Sequence, residues 1–358
     1  MAQNNSYISL FLEPLREFLS DDSVSEILVN GPSQIYVEKE GRLQKTSALF
    51  ASEASLKAAA SNIAKSVGRL LDDSNPRLDA RLPDGSRVHA VIPPLSRCGT
   101  VIAIRKFKKD TLTVEKLLSF GSLDAEVFKI LKTSVLLHKN IIVSGGTSSG
   151  KTSVLNALSG FISEGERILV IEDASELQLQ QEHTVAFETR KADKNGKGEV
   201  SIRDLLYSSL RLRPDRLVIG EIRGGEALDL LQALNTGHSG SMSTIHANTP
   251  LDSLYRMETC ALLSGVEIPL MALRAQVASA IDLIVQTARF SDGSRKIASV
   301  SEVLPLSSGN YNVNELAAWR TESVSSDGKI SGRFELRNIP TFAGAAKIAG
   351  LELPNYKN

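Results

Sequence analysis

The chain has 358 residues, 42% of them hydrophobic, a length and composition that suit two domains with substantial cores. Lys plus Arg and Asp plus Glu both number 41, so no global basic field advertises nucleic-acid binding, although a local basic channel stays open. The two cysteines, Cys98 and Cys260, read as buried reduced thiols of a cytosolic protein and are too few for a four-cysteine zinc site.

The opening stretch, MAQNNSYISLFLEPLREFL, has no basic n-region, and Glu13 and Arg16 interrupt its apolar residues. It is read as neither a signal peptide nor a membrane span, and no later run is apolar enough to cross a bilayer. A cytosolic protein that docks on a membrane through partners is expected. Leu10 to Leu19 has helical apolar spacing. Glu26–Gly31 and Gln34–Thr46 look like strands, the second folded over a turn at Glu40-Gly41. Ala51 to Leu71 is Ala-rich and helical. RLDARLPDGSRVHAVIPP alternates around Asp84-Gly85, a hairpin signal, and Gly99–Phe107 is a further strand. These elements predict a small α+β domain over residues 1–107.

Residues 108–122 are polar, broken by Gly121, and suit an interdomain linker. From Leu123 strands and helices alternate. Strands are expected at Asn140–Ser144, Arg167–Ile171, Thr184–Thr189, Arg216–Gly220 and Ser241–His246, with helices at Arg203–Leu212 and Gly225–Asn235. This alternation predicts an α/β domain over 123–304, with a ligand at the carboxyl ends of its strands. Ile281–Thr287 and Arg295–Val303 flank a second hairpin signal, FSDGS. Residues 305–358 read as a small appendage with strand-like pieces and a short Ala-rich helix.

The chemistry concentrates in the α/β part. Gly145, Gly146, Thr147, Ser148, Ser149, Gly150, Lys151, Thr152 and Ser153 match the phosphate-loop pattern G-x-x-x-x-G-K-[ST] between a strand and a helix. Glycines there let backbone N–H groups converge on phosphate oxygens, and the next helix adds its positive end. Lys151 is expected to reach the β- and γ-phosphates and Thr152 to ligate Mg²⁺. In DRLVIGEIRGGEA a strand ends at Glu221, where a carboxylate can polarise an attacking water and face the metal. Ile168–Leu179 is a second acid-tipped strand, with Glu172 the first choice for the same site and Asp173 and Glu176 in reserve. TGHSGSMSTIHAN places His238 and His246 in a Gly/Ser-rich loop, where a histidine either senses a γ-phosphate or is structural. DKNGKGEVSIRD (Asp193–Asp204) lacks the ligands of a calcium loop and is read as a hairpin loop. No N-K-x-D element is present, which disfavours a simple GTPase.

GGTSSGKTSVLNAL, IEDASELQL and RLRPDRLVIGEIRGGEALDLLQALNTGHSGSMSTIHAN together resemble, in order and spacing, the Walker A, Asp, Walker B and His boxes of the secretion-superfamily ATPases. NPRLDARLPDGSRVHAVIPP, TLTVEKLLSFGSL and IDLIVQTARFSDGSRKIASVSEV look most like the CpaF-type ATPase of tight-adherence (Flp) pili. The resemblance implies a RecA-like P-loop ATPase domain beneath a smaller N-terminal α+β domain, six subunits in a ring, and Mg-ATP as fuel. It implies that Glu221 prepares the water, aided by Glu172, that His238 and His246 hold His-box positions, and that Arg87 and Arg105 approach the γ-phosphate, with Arg81 in reserve. It also implies polytopic inner-membrane platform proteins as partners. The four-cysteine module of type II secretion ATPases is missing.

Three function classes follow. The first is a hexameric ATP-driven motor for pilus assembly or type II/IV secretion. A RecA-type motor for conjugative DNA or effector transfer is the alternative, with nucleic-acid contact disfavoured by the neutral charge. A non-hydrolysing nucleotide scaffold would have no use for Glu221.

Overall fold

The structure, a computed structural model, describes residues 12–39, 41–82, 84–107, 112–192 and 196–356. The chain forms two compact units, Met1–Asp110 and Thr111–Asn358.

In the first unit a 3₁₀ turn, Glu13–Leu15, leads into α1 (Arg16–Ser20); together they take up the helix expected over residues 10–19 from Glu13 onward, and residues 10 and 11 lie outside the described residues. Six strands follow: β1 (Val24–Asn30), β2 (Ile35–Lys39), β3 (Arg42–Lys45), β4 (Arg77–Arg81), β5 (Arg87–Val91) and β6 (Val101–Arg105), in the order β3-β2-β1-β6-β5-β4. One helix, α2 (Glu53–Ser66), covers this sheet. Ser52 caps it by accepting from Ser55 N, and Ser55 Oγ accepts from Ser52 N in return. Its buried residues Leu56, Ala59, Ala60, Ile63 and Ala64 follow the i, i+3, i+4 spacing of a single stripe. Burying a Leu or Ile there contributes roughly 1.5–3 kcal/mol each. The β4–β5 turn is built as expected, with Gly85 at φ +92° and its N–H on Leu82 O. Glu40, the first residue of the other expected turn, lies outside the described residues. Cys98 is exposed and free after β5, whereas Cys260 is buried and free, so only one of the two thiols is buried as expected.

The second unit begins with α3 (Val114–Ser119), capped by Thr113, inside the stretch expected as a linker. Val114 and Leu117 are buried in the core of this unit, which explains why the stretch is helical rather than extended. There follow α4 (Ala125–Leu136), β7 (Ile141–Gly145), α5 (Lys151–Ser159), β8 (Ile168–Glu172), β9 (Thr184–Glu188), α6 (Ile202–Ser209), β10 (Arg216–Ile222), α7 (Glu226–Asn235), β11 (Met242–Ile245), α8 (Pro250–Leu262), α9 (Leu270–Ala280), β12 (Leu283–Arg289), β13 (Arg295–Ser307), β14 (Asn310–Val324), β15 (Ile330–Leu336) and α10 (Ala343–Ile348). The strands make one sheet in the order β15-β14-β13-β12-β7-β11-β10-β8-β9. From β12 to β9 all neighbours are parallel, and β13, β14 and β15 add an antiparallel extension.

Alternate residues of the central strands feed two cores. Ile141, Val143, Ile168 and Val170 face the core shared with α4 and α5, while Ile142, Leu169 and Ile171 face the one shared with α6 to α9. A sheet covered on both faces needs near-continuous apolar strands, and every residue of β7 and β8 is buried. The stretch after 304 continues this sheet instead of standing apart as an appendage, because β13 runs through residue 305 and β14 and β15 pair onto it. Part of the Asp193–Asp204 loop lies outside the described residues, and its Asp204 caps α6 by accepting from Ser201 N.

Candidate active site

The phosphate-loop pattern lies between the end of β7 and the start of α5, at the carboxyl end of the parallel strands. Ser148 (φ +57°) and Gly150 (φ +98°) take left-handed backbone, which turns the chain back onto the helix axis. Gly145 sits opposite Thr287 of β12. A Cβ on Gly145 would collide with the Thr287 hydroxyl and lie 2.5 Å from Ser149 Oγ, so this close approach requires glycine. Thr287 Oγ1 lies 2.9 Å from Ser144 O and 2.7 Å from Ser149 Oγ, which lies 2.8 Å from Gly146 O, and the two hydroxyl protons serve two of these three contacts at a time. Arg295 Nε donates to Ser148 O (2.8 Å). The loop is thereby held from outside, by β12 and β13.

Inside the loop the space is open: a Cβ on Gly146 would meet nothing within 4 Å. Gly150 is the N-cap of α5 and offers no side-chain acceptor to the first turn. The helix start therefore presents N–H groups and its positive end to this space, a setting that fits a phosphate. Thr152 and Ser153 stand half-buried in that first turn.

Lys151 is 7% exposed, and its ammonium donates to Gly146 O (2.9 Å) and to His246 Nε2 (3.1 Å). With Lys151 charged, Nε2 of His246 is the acceptor and the ring proton sits on Nδ1. Nδ1 then donates to Glu221 Oε1, while Arg223 donates to Glu221 Oε2. Arg223 also lies 3.9 Å from Asp173. One continuous chain thus runs from the phosphate loop through His246 to Glu221 and on to Arg223. Partial burial pushes the Glu221 carboxyl up, but Arg223 and His246 outweigh it and hold it below the usual carboxylate range. Glu221 is accordingly ionised at neutral pH.

Glu172 is in different surroundings. It ends β8, beside β10, and a Cβ on Gly220 would lie 3.0 Å from its Cγ. Its Oε1 accepts from Glu176 N (2.9 Å) and Leu177 N (3.0 Å), closing the turn after the strand. Burial pushes its carboxyl up to about 7, against those two bonds and with help from Glu176 and Glu188. The structure brings Asp173 into the Arg223 cluster but does not join the Glu172 carboxylate to it.

His238 is not brought to this end of the sheet. Strand β11 runs parallel to β7, from Met242 opposite Ile141 to Ile245 opposite Ser144, so the residue after it, His246, meets the loop. His238 precedes the strand and lies at the opposite end, with Nδ1 3.2 Å from Ala233 O and its carbonyl accepting from Ser241 Oγ. Strand direction, which the spacing of the two histidines did not reveal, separates them.

In the first unit, Arg81, Arg87 and Arg105 form a row across three strands, Arg81 opposite Arg87 and Arg87 opposite Arg105, continued by Glu26 opposite Arg105. Arg81 donates to Gly85 O (3.1 Å) and lies over the Phe107 ring. Sequence reading did not single out Arg223, Thr287 or Arg295. Arg223 could have been suspected from its place two residues after Glu221. Thr287 and Arg295 carry no local signal, since each reaches the loop only through strand pairing.

Among the described residues no three His, Cys, Asp or Glu side chains gather into a metal site, so a cation here would need oxygens from its ligand as well. No helix of the described residues is long and apolar enough to cross a membrane.

Known proteins resemble this chain over most of its length. It is 36% identical over 322 residues to "Putative conjugal transfer protein Rv3659c" of Mycobacterium tuberculosis, covering 88% of this chain and 89% of that one. It is 31% identical to the type IV secretion system protein VirB11 of Bartonella quintana, over 81% of this chain and 91% of that one. The solved structure of the ATPase DotB from Yersinia pseudotuberculosis superposes with a TM-score of 0.59 at 18% identity, over 84% of this chain and 80% of that one. That likeness shows the fold: a RecA-like P-loop ATPase domain with a smaller N-terminal domain. The profile of the "Type II/IV secretion system protein" family matches residues 11–335, a span that takes in both units and the whole phosphate loop. On that span, the chain belongs to the type II/IV secretion system protein family.

Proposed function

We propose that this chain is the ATP-hydrolysing subunit of a homohexameric motor, working in the cytoplasm against polytopic inner-membrane platform proteins. Its resemblance to CpaF-type ATPases supports assembly of a tight-adherence pilus as the task. The observation that carries the reading is the hydrogen-bonded chain from Lys151 through His246 to Glu221. A phosphate-binding scaffold needs Lys151 alone. An ionised carboxylate tied to that lysine through a histidine is what hydrolysis needs.

The proposed roles rest on the phosphate-loop pattern, the resemblance and the contacts of Lys151, His246 and Glu221. Backbone N–H groups of residues 146–153 receive the phosphates of ATP at the start of α5. Lys151 leaves Gly146 O and His246 for the β- and γ-phosphates. The Thr152 hydroxyl and the Glu221 carboxylate would supply hard oxygen donors for magnesium, with Glu172, held by Glu176 N and Leu177 N, set further back. Magnesium, when bound, neutralises charge developing between the phosphates. Glu221 accepts the proton of the attacking water, and His246 Nδ1–H keeps its other oxygen oriented. By the resemblance alone, Arg87 and Arg105 are assigned the charged forks that the γ-phosphate needs. His238, at the other end of its strand, is left out of this reaction.

The relative named for conjugal transfer favours a second reading, a motor for DNA or effector transfer. Hydrolysis stimulated by DNA, with salt-sensitive binding, would mark that reading; the balanced charge of 41 against 41 argues for its absence.

The test is magnesium-dependent phosphate release from ATP by the purified, assembled chain. The wild type is expected to turn over, and Lys151→Ala to fall at least about 100-fold. Absence of turnover in the assembled wild type, or full activity in Lys151→Ala, removes the motor reading.

A further inference from the structure

Strand β13 begins beside the phosphate loop. One edge pairs with β12, Arg295 opposite Arg289 and Ile297 opposite Thr287. The other edge pairs with β14 only from Ser299 onward. Ser122 covers the remaining stretch: Ile297 N donates to Ser122 O (2.8 Å), and Ser122 Oγ donates to Arg295 O (2.7 Å). Gly121 and Ser122 end the segment that begins with α3 and joins the two units in sequence.

The first two side chains of the strand have different partners. Arg295 Nε donates to Ser148 O, at the left-handed turn of the phosphate loop. Lys296, 9% exposed, donates to Gly121 O (3.0 Å) and lies 4.2 Å from the ring centroid of Trp319. Successive residues of a strand point to opposite faces, so this dipeptide reaches the loop on one side and the joining segment on the other. Its cation–π contact falls on the only tryptophan of the chain.

We infer that Arg295-Lys296 is a transmission element that ties the conformation of the phosphate loop to the joining segment 112–122 and to Trp319. The inference rests on the proposal that the loop holds nucleotide phosphates. Phosphate oxygens that recruit the loop's N–H groups fix the Ser148 peptide. The planar guanidinium bound to that carbonyl carries the change to the start of β13, and two backbone bonds carry it on to Ser122. Arg295 is here a positioning residue. Lys296 makes Trp319 a built-in reporter.

The experiment pairs calorimetric titration of the full chain with ADP against Trp319 emission and hydrogen exchange over residues 114–122. In the wild type, ADP is expected to shift the emission with the calorimetric midpoint and to slow exchange in that segment. Arg295→Ala is expected to bind ADP within about tenfold of wild type, since Arg295 holds the loop from outside rather than from the open phosphate side, and to lose both responses. Arg295→Lys, which keeps a donor for Ser148 O, restores part of the emission shift. Should Arg295→Ala not fold, Ser122→Ala serves in its place: it removes the hydroxyl from Arg295 O, leaves the loop untouched, and should at least halve the exchange response. Both responses surviving in Arg295→Ala, or an undiminished exchange response in Ser122→Ala, would overturn the inference. A wild type that binds ADP with neither response overturns the transmission and leaves nucleotide binding standing. A wild type that shows no ADP binding in the calorimeter overturns both.

Discussion

Glu172 and Glu221 end neighbouring strands, yet one is poised to hold a proton near neutral pH and the other is not. The difference is their company. Glu221 has Arg223 and His246, whereas Glu172 is 3% exposed and receives only two backbone N–H groups. That acids close both strands was legible in VIEDAS and VIGEIR. Which of them is ionised was not, because the deciding partners come from other turns. The raised Glu172 gives a signed prediction. Its folded-state pKa of about 7 lies above the ordinary 4.5, so its contribution to stability is intact below pH 4.5 and is lost as pH rises through 7. Glu172→Gln keeps the acceptor for Glu176 N and Leu177 N without the charge. Urea unfolding at pH 5.5 and 8 should show the wild type losing about 2 kcal/mol relative to Glu172→Gln, because the loss runs from pH 4.5 up to 7 and its first part is already complete at pH 5.5. Parallel pH profiles for the two proteins would refute this.

At the scale of elements, the end of the sheet away from the phosphate loop is fastened by a buried ion pair. Arg216, 1% exposed at the start of β10, pairs with Glu166 and donates to Gly240 O (2.9 Å) and Val135 O (3.3 Å). It thereby holds α4, β10 and the turn before β11 at fixed relative positions. Arg216→Ala would remove the guanidinium partner of the largely buried Glu166 and the side-chain donor to Gly240 O, and should cost about 3–5 kcal/mol in chemical denaturation. A loss under 1 kcal/mol would show that water replaces the guanidinium without strain. The alternation of strands and helices was readable from periodicity, and α2 from its Ala-rich stretch, whereas its capping box emerged only in the structure. The β12–β13 hairpin was readable at FSDGS, but the pairing of β14 and β15 onto β13 was not, since nothing local fixes those partners. Nor was the separation of His238 from His246, which follows from a parallel register set across the sheet.

At the scale of the whole molecule, the proposed motor draws on residues of both units. The cross-strand row Arg81–Arg87–Arg105 gathers positive charge on one face of the first unit's sheet, a feature hidden in sequence until the hairpins align. Replacing Arg87 and Arg105 together by alanine should lower phosphate release about a thousandfold while ADP binding persists. Calorimetry and a phosphate assay on the same sample check this; turnover at the wild-type rate would mean the row serves the first unit alone. A ring motor also predicts that specific activity rises with chain concentration as subunits assemble. The most direct test of the central claim is a comparison of ATP binding and phosphate release in Glu221→Gln and the wild type. Glu221→Gln is expected to bind ATP within about tenfold of wild type and to release phosphate at least about 100-fold more slowly. Unchanged release, or loss of ATP binding without a separate loss of turnover, would contradict it.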